Sequence, residues 1–71
     1  MQRPLLERYR DLSNSRTCWV ELIKSIGGGI SSTHLSRTAR GITTVRNVEI
    51  WEKIRSHLEL KIKELENATN G

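Results

Sequence analysis

Few side chains in this 71-residue chain could do chemistry, and their types and spacing sort them quickly. Cys18 stands near the start of an expected helix, where the positive end of the dipole could lower a thiol pKa. No histidine stands beside it in the pattern, so a place in the core is the plainer reading. His34 and His57 lie far apart, with no cysteine or carboxylate cluster at ligand spacing, so neither a zinc site nor any other cofactor is expected. Gly27, Gly28 and Gly29 follow a helix and not a strand, which is the wrong setting for a glycine loop that cradles phosphates. No catalytic residue emerges, and the chain is not expected to be an enzyme. What remains is a run of short hydroxyls and guanidiniums, Ser31, Ser32, Thr33, Ser36, Arg37 and Arg40, followed by Thr43, Thr44 and Arg46 and by the carboxamide of Asn47.

The charge distribution gives this run its context. Residues 1–47 hold eight basic and three acidic side chains, whereas residues 48–71 hold four and five. The segment 31–47 carries Arg37, Arg40 and Arg46 and no acid at all. Such a bias points to a polyanionic partner, although a merely solvated basic face has the same composition. Arg3, Arg8 and Arg10 read more simply as the wet side of the first helix. The single cysteine has no partner for an internal disulfide, and the first 30 residues lack the apolar stretch of a secretory signal; a cytoplasmic protein is expected. No apolar run approaches the roughly 18 residues of a membrane span.

The elements that must position these groups follow from helical periodicity. Pro4 suits the first turn of a helix over 4–12, where Leu5, Leu6, Tyr9 and Leu12 recur on one face. Thr17 suits the N-cap of a helix over 18–26 with Trp19, Leu22, Ile23 and Ile26 inward, and the three glycines end it. Ser31 caps a short helix over 32–40, closed by Gly41, whose only inward candidates are Leu35 and Ala39. So thin an apolar stripe leaves most of that helix facing something polar. The last helix, 47–66, is capped by Asn47 and carries Val48, Trp51, Ile54, Leu58, Ile62 and Leu65 on its apolar face. At 1.5 Å per residue it is about 30 Å long, longer than three short helices cover, so Leu58, Ile62 and Leu65 are expected to meet a second copy of the chain. Trp19 and Trp51 are expected in the core, since no phenylalanine is present to fill it. Residues 1–66 form one all-α domain of four helices, and residues 67–71 form a flexible polar tail.

The stretch from Trp19 to Gly41 resembles the helix-turn-helix of the lambda repressor and Cro-like family. The closest match runs through Gly29-Ile30-Ser31, then Leu35-Ser36-Arg37, then Gly41. Leu22, Ile23 and Ile26 look like the core side of the first motif helix, and Leu35 like the plug of the recognition helix. Val48, Ile50, Ile54 and Leu58 look like the family's next helix. The likeness covers roughly residues 4–60 and departs from the family in two ways: about two extra glycines in the turn, and Ile23 where a small alanine is usual.

The resemblance implies a compact helix-turn-helix domain that reads double-stranded DNA with helix 32–40 in the major groove. Ser32, Thr33, Ser36 and Arg37 would read bases, with His34 facing nearly the same way but ranked lower. Thr17, Arg40, Thr43, Thr44, Arg46 and Asn47 would hold phosphates. Short polar side chains and arginine are what such a helix needs, because they reach base edges while the backbone stays close. The expected protein is a homodimeric transcriptional regulator of phage or plasmid repressor type that takes no small-molecule ligand. Two other readings stay open: a protein-binding adaptor or antitoxin-like module using the long helix, and a sequence-blind nucleic-acid binder. Arg37 and Arg40 could instead pair with glutamates of the last helix, which is the lesser reading.

Overall fold

A computed structural model describes residues 2–70, the last two by their backbone alone. The chain forms four helices: α1 (Gln2–Ser13), α2 (Cys18–Ile26), α3 (Ser32–Ala39) and α4 (Val48–Asn70). No strand occurs among the described residues. The arrangement is all-α, as the periodicity implies, and no described helix is long and apolar enough to cross a membrane.

Most helix ends are set by residues within a few positions of them. Asn14, with φ of 47°, closes α1 by donating its N–H to the Arg10 carbonyl at 3.1 Å. Gly27 ends α2 in the left-handed region; its N–H and that of Gly28 return to the carbonyls of Lys24 and Ile23. Gly41 does the same for α3, where the Gly41 and Ile42 N–H groups reach Thr38 at 3.1 Å and Arg37 at 3.0 Å. Both ends have the paired bonds of a Schellman closure, which requires a residue at positive φ and so favours glycine. Ser31 Oγ accepts the His34 N–H at 3.1 Å, and Asn47 Oδ1 accepts the Ile50 N–H at 3.2 Å, capping α3 and α4. Thr17 behaves differently. Its carbonyl starts α2, but its hydroxyl lies 3.1 Å from Ser15 Oγ and makes no capping bond.

The core joins Leu6 and Tyr9 of α1, Cys18 and Leu22 of α2, Leu35 and Ala39 of α3, Val45 of the loop, and Ile54, Leu58 and Ile62 of α4. Trp19 and Trp51 are half-buried at its edge, and Ile23 packs there too. Tyr9 takes the central aromatic place instead. Its hydroxyl donates to the Cys18 carbonyl at 2.8 Å, and its ring stands 5.9 Å from that of Trp19.

Leu58 and Ile62 correct the expected dimer surface. They are 0% and 8% exposed within a single chain. The cause is α1, which makes its most extensive packing against α4 and reaches the C-terminal half of that helix, where Arg8 pairs with Glu66. Leu65 is half-buried against the same core. The α4 helix also continues to Asn70, so residues 67–70, expected as a tail, are helical, and Gly71 lies outside the described residues. No glycine or proline interrupts α4 before position 71.

Candidate nucleic-acid interface

Burial of one side of α3 decides what the other side presents. Leu35 and Ala39 are fully buried, and Thr38 beside them satisfies its hydroxyl on the His34 carbonyl at 2.8 Å. The opposite stripe, at successive helical turns, consists of Ser32, Thr33, Ser36, Arg37 and Arg40. These five line a shallow depression of about 420 Å³, whose far wall is made by Arg16 from the turn before α2 and by Trp19 and Val20 from its first turn. All four base-reading candidates therefore share one surface, together with Arg40 from the phosphate set.

The electrostatics of this surface are one-sided. Three guanidiniums border it and no carboxylate does. Among the described residues, none of Arg16, Arg37 and Arg40 is ion-paired; the paired cations are Arg3, Arg8, Arg10 and Lys61. The alternative in which glutamates of α4 neutralise Arg37 and Arg40 is thus not realised. The side-chain hydroxyls of Ser32, Thr33 and Ser36 make no hydrogen bond among the described residues, so their donors and acceptors stay uncommitted.

The remaining phosphate candidates divide. Thr43, Thr44, Arg46 and Asn47 gather around a second depression of about 400 Å³, which the N-terminal end of α3 shares through Ser31 and His34. Here His34 departs from its expected direction: its Nε2 lies 3.3 Å from the Thr44 carbonyl, on the loop side of α3 and not on the polar stripe. Asn47 has committed its Oδ1 to the α4 cap. Thr17 is exposed at the start of α2 but lines neither depression.

The sequence reading missed two residues: Arg16, which borders the first depression, and Gln2, which holds the loop. Arg16 follows the polar break after α1, and its place in the acid-poor half of the chain was the available signal. Gln2 had none. Its carboxamide donates from Nε2 to the Val45 carbonyl at 2.9 Å and accepts the Val45 N–H on Oε1 at 2.7 Å. This two-bond clamp, spanning 43 positions of sequence, fixes the loop that carries Thr43, Thr44 and Arg46.

Cys18 is buried, and burial pushes its thiol above the ordinary value, overriding the lowering expected from the helix end. A raised pKa leaves little thiolate, so Cys18 is a packing residue. No group of three His, Cys, Asp or Glu residues gathers to hold a metal ion among the described residues.

The chain matches no family model, no curated protein and no solved structure.

Proposed function

We propose that this chain is a sequence-specific, double-stranded DNA-binding regulator that lays α3 in the major groove. The observation that carries the proposal is the acid-free stripe of Ser32, Thr33, Ser36, Arg37 and Arg40, whose polar groups are left unpaired while the opposite side of the helix is fully buried. An α-helix with its side chains matches the width of the major groove, and a guanidinium there can fork to guanine O6 and N7. Arg37 takes that role, worth about 1–3 kcal/mol against a wrong base. Ser32, Thr33 and Ser36 bond to neighbouring base edges or phosphates. Arg16 and Arg40 flank the helix as phosphate contacts, and the clamped loop adds Arg46, Thr43 and Thr44. These contacts fix register and supply the salt-sensitive part of the affinity. Occupying a promoter in this way blocks or recruits other proteins without an effector ligand.

The homodimer expected from Leu58, Ile62 and Leu65 is not part of the proposal, because Leu58 and Ile62 belong to the core of one chain. The proposal concerns one domain on one half-site. An amide NMR titration with a short mixed-sequence duplex tests it. The expected shifts cluster at Arg16, along the α3 stripe and in residues 43–47. Shifts confined to the outer face of α4, or no response at low salt, would overturn it.

A further inference from the structure

Val20 does not fit the chemistry of the surface it occupies. It is 43% exposed and does not belong to the hydrophobic cluster that includes its neighbour Trp19. It therefore contributes little to the core, yet it stands on the α2 wall of the depression, among Arg16, Arg37, Ser32 and Ser36. The other well-exposed large apolar side chains, Ile42, Val48 and Leu60, line neither depression of the interface. Phosphate binding has no use for an apolar group. The major groove offers one partner for it, the C5-methyl of thymine.

We propose that Val20, with the exposed part of Trp19 behind it, forms an apolar notch that receives a thymine methyl. This inference rests on the DNA-reading role of α3 and adds a base to it: the preferred site contains a thymine close to the guanine read by Arg37. The three bordering guanidiniums draw the anionic duplex onto this surface, and the branched side chain of Val20 has little rotamer freedom to lose on contact. Deleting one buried methyl costs a factor of about four in affinity.

The test uses the duplex enriched from a randomised library by the full chain. Each thymine is replaced in turn by deoxyuridine, which lacks only the methyl, and Kd is measured by fluorescence anisotropy for the wild type and for Val20→Ala. At one position the replacement should weaken the wild type about fourfold and the variant by less than twofold. Val20 is exposed and alanine favours helix, so the variant keeps its fold, with circular dichroism as the check. A duplex that is bound in an Arg37-dependent way but is insensitive to deoxyuridine, or equally sensitive in both proteins, would overturn the role of Val20 alone. Failure of any sequence to enrich would overturn the DNA-reading role and this inference with it.

Discussion

Replacing Gln2 with alanine should loosen the loop that carries three of the five proposed phosphate contacts, Thr43, Thr44 and Arg46. The carboxamide satisfies both backbone groups of Val45 at 2.9 and 2.7 Å, and Val45 is only 6% exposed. Each such bond contributes about 0.5–1.5 kcal/mol net, so the pair contributes about 1–3 kcal/mol. A chain of this length holds about 4–11 kcal/mol in total, which makes the clamp a sizeable fraction of its stability. Urea unfolding followed by circular dichroism reads the loss, and hydrogen exchange at the Val45 amide reads its location. Gln2→Glu keeps an acceptor for the Val45 N–H but turns a carboxylate toward the Val45 carbonyl, so it should recover no more than half of the loss. In both variants the DNA affinity should fall with a shallower salt dependence, because the loop residues contact phosphates in this account. Unchanged exchange at Val45, together with a stability within about 0.3 kcal/mol of the wild type, would refute the reasoning.

Other substitutions separate the remaining parts of the account. Gly28 and Gly29 share a positive φ, of 87° and 91°, but an added Cβ meets nothing at Gly28 and lies 3.1 Å from Ile50 Cδ1 at Gly29. Gly28→Ala should therefore cost about 1–2 kcal/mol for the backbone alone, and Gly29→Ala about 1 kcal/mol more for displacing Ile50; equal losses in thermal unfolding would contradict the contact. Leu58→Asp places a carboxylate at a fully buried site and should abolish the fold, read as lost helical circular dichroism. A folded monomer made from a wild-type dimer would instead restore Leu58 to an interface. Burial raises both the Cys18 thiol and the Tyr9 phenol above their ordinary values. The folded chain then holds these protons more tightly than the unfolded chain, so stability is full below about pH 9 and declines as pH rises toward the raised folded values. The urea midpoint should fall accordingly, less steeply in Cys18→Ala, whereas a flat or rising midpoint would contradict the burial.

What the sequence made legible was local. The ends of α2 and α3 are written in Gly27, Ser31 and Gly41, each of which acts within a few residues of itself. The polar stripe is legible for the same reason: Leu35 and Ala39 fix the inward side of α3, and helical geometry then assigns the other side. The errors are tertiary. Nothing near Leu58 or Ile62 indicates that α1 lies along them, nor does anything near Gln2 indicate that it holds Val45. Thr17 has the right type and place for a cap, but Ser15 competes for its hydroxyl. His34 follows Thr33 by about 100° around α3, and that rotation sets it beside the Thr44 carbonyl instead of on the stripe, a consequence of spacing that its residue type obscured.

The most direct measurement is selection of bound duplexes from a randomised library at near-physiological salt, run in parallel on the wild type and on Arg37→Ala. The account predicts an enriched sequence containing a guanine that the variant no longer demands, while both proteins retain salt-dependent binding. Identical enrichment by the two proteins, or binding indifferent to sequence in the wild type, would contradict base reading by α3.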